Sequence, residues 1–230
     1  YKNLINGFDG FEAIAFNGNK VFISIEAEHN GQMNSYIIWG DIDPSTLDVS
    51  IDKDHLKWVD TPIQLSNISY ESLLIYRNDV LMLYEANGSN LQQDVRQVVF
   101  SPLNKSITHM GFTNVEYRIT DASKIDASNK FWSINYFWPG DKKLLKPGRD
   151  RILGQVRAGK SHSNSDAVER LIEFEIKNDK ITTSDQEPIQ LVLDEEASRN
   201  WESIVRLDDK GLLIATDKYP KMILGFVPFK

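Results

Sequence analysis

Four glutamates recur in one local setting. Glu12, Glu71 and Glu202 each follow an aromatic residue (Phe11, Tyr70, Trp201) and precede a small and then an aliphatic one (Ala13-Ile14, Ser72-Leu73, Ser203-Ile204). Glu116, between Val115 and Tyr117, begins a looser fourth copy. A second polar set follows, with Glu26, Glu85, Asn135 and Asp217 lying 14, 14, 19 and 15 residues after their partners. Carboxylates brought together repel, and burying several in ionised form is costly, so either some hold protons or a cation neutralises them. Oxygen donors in a chain with no cysteine and four histidines suit a hard cation, calcium first and magnesium second. A metal held by Glu12, Glu71, Glu116 and Glu202 would polarise a phosphoryl or ester oxygen, with Glu26, Glu85 or Asp217 as base. His29, close behind Glu26 and Glu28, is a further acid–base candidate. The same glutamates could instead accept hydrogen bonds from backbone N–H groups and hold only water.

The elements that would position these residues are strands. Each copy reads as an apolar run, an Asn/Asp/Gly turn and a second apolar run, as in Asn17-Gly18-Asn19 before Val21 to Glu26 and Arg77-Asn78-Asp79 before Val80 to Glu85. That is the pattern of an antiparallel hairpin. More strand-like text follows each hairpin, so the unit is about four strands long. Only Ser165 to Glu173 has a helical composition, and Leu171 to Ile176 alternates as a strand does. Four-stranded units repeated along a chain predict an all-β fold, a β-propeller forming a single domain over residues 1–230. Four blades are recognisable, and the longest interval, 86 residues from Glu116 to Glu202, leaves room for a fifth. The last copy has text for three strands only. Tyr1 to Phe8 stands alone before the first copy, and as an N-terminal strand it would complete the last blade and close the ring. A β-sandwich or barrel is the competing architecture.

In a propeller the first strand of each blade lines the central channel, which would set the four repeated glutamates around one axis. The insertion between Trp138 and Ser165 is basic, with Lys142, Lys143, Lys146, Arg149, Arg151, Arg157 and Lys160, and could draw in a small anionic substrate. It could equally be a solvated, mobile loop.

The formal net charge of -7 over 230 residues argues against a duplex nucleic-acid binder, which needs a basic footprint. No apolar run approaches the roughly 20 residues of a membrane helix, so no membrane span is expected. Serine-hydrolase elbows, His-Glu-x-x-His and phosphate-cradling glycine loops do not occur in the sequence. A secreted or periplasmic monomer is the expectation.

The segments Glu12-Ala13-Ile14-Ala15-Phe16 with Val21 to Glu26, and Trp201-Glu202-Ser203-Ile204 with Leu212 to Asp217, resemble the "Glu-Gly-Ile, then strand" inner-blade signature of calcium-centred β-propeller hydrolases. These include soluble calcium-activated apyrases, phytase-like esterase domains and gluconolactonase-like phosphotriesterases. The glycine of that signature is Ala13, Ser72, Tyr117 and Ser203 here. The resemblance implies a calcium-dependent hydrolase acting on a phosphate ester, nucleotide or lactone at the central channel. The alternative is a non-enzymatic secreted propeller that binds a protein or glycan.

Overall fold

The computed structural model describes residues 1–152, 162, 165–194, 198–217 and 221–229. The chain is all-β of the propeller class, built from up-and-down antiparallel meanders of the kind that form blades. By contacts it divides into two compact units, Tyr1–Glu85 with Arg96–Met110, and Ala86–Val95 with Gly111–Lys230.

The first unit holds the first meander, β1 (Phe8–Asn17), β2 (Lys20–His29), β3 (Gln32–Ile42) and β4 (Val49–Val59), paired in chain order. It also holds most of the second: β5 (Tyr70–Tyr76), β6 (Asp79–Tyr84), β7 (Arg96–Ser101) and β8 (Ser106–Phe112). Central strands are covered on both faces and so read as continuous apolar runs; Val80 to Tyr84 of β6 is wholly buried. Outer strands are polar, and β4 carries Asp52, Lys53 and Asp54 in the open. The hairpin turns use the residues that tolerate positive φ, among them Gly18, Asn30 with Gly31, and Asn178 with Asp179.

The second unit contains β9 (Arg118–Ala122), β10 (Lys130–Phe137), a four-residue helix α1 (Lys142–Leu145), β11 (Val168–Lys177), β12 (Lys180–Thr183) and β13 (Ile189–Gln190). Strands β9 to β12 form the third meander, and β13 adds to β11 through Arg170 opposite Gln190. Strands β14 (Trp201–Leu207), β15 (Gly211–Thr216) and β16 (Leu224–Pro228) form the fourth. Its core joins Trp132, Ile134 and Leu171 of the third meander to Trp201, Ile204 and Ile214 of the fourth. Among the described residues there are four meanders and no fifth.

The N-terminal segment corrects one expectation. Tyr1–Gly7 form turns, not a strand, and the fourth meander has three strands among the described residues. The apolar residue that was to pair there is used elsewhere: Ile5 is buried against Ile25, Ala27 and Ile38 of the first meander. Gly7, at φ +73°, accepts a hydrogen bond from Glu28 N (2.9 Å) and lies so close to the Glu28 carbonyl that no Cβ would fit.

Candidate functional site

The repeated glutamates occupy β-bulges. In the first unit Phe11 faces Ile25 and Ile14 faces Ile23, so Glu12 and Ala13 together oppose Ser24. In the second meander Tyr70 faces Tyr84 and Ser72 faces Leu83, leaving Glu71 as the extra residue. In the second unit Glu202 is the extra residue between Trp201, opposite Thr216, and Ser203, opposite Ala215. A bulge twists the strand and redirects one side chain, which explains why one polar residue type returns where apolar alternation should continue.

The third meander has the same bulge, but not at Glu116. Ile119 faces Asn135 and Ala122 faces Ser133, so the bulged residues are Thr120 and Asp121. Thr120 is therefore the register equivalent of Glu12, Glu71 and Glu202. Glu116 precedes β9, which corrects its placement as the fourth member of the series. The later set shifts likewise: Glu26, Glu85 and Asp217 each follow the residue paired with the pre-bulge aromatic, and the equivalent in β10 is Tyr136. Asn135 serves as a staple, its Nδ2 donating to Glu116 O and Arg118 O (3.0 Å each) and its Oδ1 accepting from Arg170 Nε (2.8 Å).

Bulge geometry also supplies a hydroxyl bridge used twice. In the first unit Ser24 Oγ accepts from Ala13 N (2.9 Å) and donates to Tyr70 O (3.0 Å). In the second, Thr120 Oγ1 donates to Trp201 O (2.5 Å). Both bridges end on the carbonyl just before a bulged glutamate. Asp121, half-buried beside it, accepts from Ile204 N (2.8 Å) and Ala122 N (2.7 Å), and desolvation pushes its carboxyl up to about 7.

Within the first unit Glu12, Glu26 and Glu85 do interact. Glu26 is 4% exposed, and Glu85 3%. Burial first, then the charges of Glu12, Glu85, Asp9 and Glu28, push the Glu26 carboxyl up to about 8. Glu12 is raised by burial and by Asp9. Both causes favour the protonated, neutral form of the Glu26 carboxyl.

Glu116 has a different role. Its Oε1 accepts from Ser89 N (3.0 Å) and Ser89 Oγ (2.7 Å), and its Oε2 accepts from Gly148 N (2.8 Å). The carboxylate thus ties the segment after β6 to the start of the basic insertion. That start is anchored further by Asp141 on Arg118 (2.8 Å), Asp150 on Arg170, Asn90 Nδ2 on Lys146 O (3.0 Å) and the burial of Leu145 and Ile152. Arg157 and Lys160 lie outside the described residues. Beneath it, Glu169, fully buried, accepts from Arg199 N and Nε (2.9 Å each) and from Trp201 Nε1 (2.7 Å).

His29 ends β2 in an exposed position, and Asp217 is exposed after β15. His162, expected in a flexible loop, is buried, and its Nε2 accepts from Glu169 N (3.2 Å) at the head of β11. Among the described residues no three His, Asp or Glu side chains are gathered so as to hold one metal ion. Thr120 takes the third bulge position, and Glu116 accepts three hydrogen bonds before β9. No helix among the described residues is long and apolar enough to cross a membrane.

No protein-family model matches the chain, and no curated protein does either. Solved structures similar to it include one of the mitotic checkpoint complex, at 8% identity and a TM-score of 0.39, covering 94% of this chain and 61% of that one. Another is a subtype N11 neuraminidase-like protein of A/flat-faced bat/Peru/033/2010 (H18N11), at 10% identity and a TM-score of 0.42, covering 93% of this chain and 56% of that one. The chain spans about three fifths of the length of these structures. Likeness at these values assigns no function.

Proposed function

We propose that the chain is a non-enzymatic binding module of the β-propeller class that recognises a protein or glycan, and that its glutamates brace loops and bulges. The observation that supports this most is Glu116. Three hydrogen-bond donors from two loops take up three of the roughly four acceptor positions on its two oxygens, as a brace requires. A turnover screen on phosphate esters, nucleotides and lactones with excess calcium tests the reading. The expected result is no hydrolysis above the blank. Hydrolysis that disappears in a folded Glu85→Gln variant would reverse it.

One observation favours a second reading, hydrolysis by acid–base chemistry. Glu26, held toward its protonated form beside Glu12 and Glu85, could protonate a leaving group while a neighbouring carboxylate acts as base. Turnover lost in Glu26→Gln without loss of fold would identify it.

A further inference from the structure

We propose that the chain self-associates, the outward face of its fourth meander packing against the open face of the first meander of a second copy. This holds whatever ligand the module recognises. In β14–β16 cross-strand partners share a face, and one face carries the rows Val205–Leu213–Phe226 and Ser203–Ala215–Leu224, polar only at Ser203. A sheet face turned to water carries polar residues where these stand. Here Val205, Phe226 and Leu224 are instead 57%, 52% and 72% exposed.

The first meander has a surface of the same kind. Phe11, Ile14 and Phe16 of β1 lie opposite Ile25, Ile23 and Val21 of β2, on one face. Tyr1 and Ile5 cover part of that face around Ile25 and Ile38, and Phe11, Ile14 and Phe16 remain 57%, 54% and 51% exposed. A contiguous apolar patch of this kind marks an interaction surface, unlike single apolar residues scattered over a protein.

The occupant is indicated by an interface that the second unit already builds. There Trp132 and Ile134 of the third meander pack against Trp201, Ile204, Leu212 and Ile214 of the fourth. The meanders align on the pair that precedes each bulge, Ile119–Asn135, Trp201–Thr216 and Phe11–Ile25. In that alignment Leu213 and Ala215 hold the positions of Trp132 and Ile134. Phe11, Ile14, Val21 and Ile23 hold those of Trp201, Ile204, Leu212 and Ile214. The two open faces are therefore the two halves of an interface the fold uses internally, and a second copy presents the half that each one takes. Unlike faces that meet in this way make a heterologous contact.

Area sets the strength of the contact. Three strands about 4.8 Å apart and about six residues long at roughly 3.4 Å per residue offer about 300 Å². That is below the roughly 800 Å² per partner of a standard stable interface, so a single contact is weak and association belongs in the micromolar range or above.

Sedimentation equilibrium of the whole chain between roughly 10 μM and 1 mM tests the proposal. The mean mass of wild type should rise with concentration. Ile14→Asp and Phe226→Asp, both at exposed positions, should each lower the association constant about tenfold or more and leave the melting temperature unchanged. Leu224→Lys takes the place of Phe226→Asp should that variant melt lower. An equimolar mixture of the two variants should associate again, as a 1:1 pair, because one keeps the intact first-meander face and the other the intact fourth-meander face. Three results would overturn the proposal: a wild type that stays monomeric throughout, association that survives Ile14→Asp, or a mixture that does not recover.

Discussion

Arg170, with no exposed side-chain surface, grips Asp150 at two points, Nη1 to Oδ2 at 2.7 Å and Nη2 to Oδ1 at 3.1 Å. The pair ties Asp150, in the described start of the basic insertion, to Arg170 of β11. With Nε on Asn135, the guanidinium is satisfied on all three nitrogens.

Breaking one side of a buried pair strands the other charge. Asp150→Ala should therefore lower stability by about 3–5 kcal/mol, read as a drop in the urea midpoint. Lys142→Ala, an exposed change in the same insertion, should leave the midpoint within about 0.5 kcal/mol. Equal effects from the two variants would contradict the anchoring role of Asp150.

The carboxyls of Glu26, Glu12 and Asp121 are all raised by burial. A raised carboxyl binds its proton more tightly in the folded state, so its contribution is fully present below the unfolded pKa and lost as pH rises through the folded one. For Glu26 that window runs from 4.5 to about 8. Thermal stability should fall by several degrees between pH 5.5 and pH 9. Glu26→Gln, an isostere of the protonated side chain, should flatten that dependence and melt no lower than wild type at pH 9. A pH profile unchanged by the substitution would contradict a raised Glu26.

The paired hydroxyl bridges give a prediction about the repeat itself. Ser24→Ala leaves Tyr70 O without its donor, and Thr120→Val does the same to Trp201 O. Each should cost about 1–3 kcal/mol, or a melting shift of roughly 2–4 °C per kcal/mol for a chain of this size. A large loss in one and none in the other would show that the two bulges are not equivalent.

The hairpins were legible because turn chemistry is local: Gly18, Asn30 with Gly31, and Asn129 supply the positive φ their turns need, and apolar runs on either side mark the strands. The glutamates of three meanders were legible as a repeated residue type, though not as bulges, which appear only in the strand pairing. The third meander was not, because a match by residue type selected Glu116, whereas backbone pairing places Thr120, four residues later, in the bulge. Register depends on which residues pair across strands, and a one-residue difference in pairing leaves no mark on composition. The Tyr1–Phe8 strand failed on similar grounds: an apolar segment shows that it will be buried, not on which sheet.

The central claim, that the glutamates are braces, is tested most directly by melting wild type and Glu116→Ala in chelator and in millimolar calcium. Removing the acceptor of three hydrogen bonds should cost about 3 kcal/mol and lower the melting temperature by the same amount in both conditions. A gap between the two proteins that opens only when calcium is present would contradict the account and make Glu116 a metal ligand.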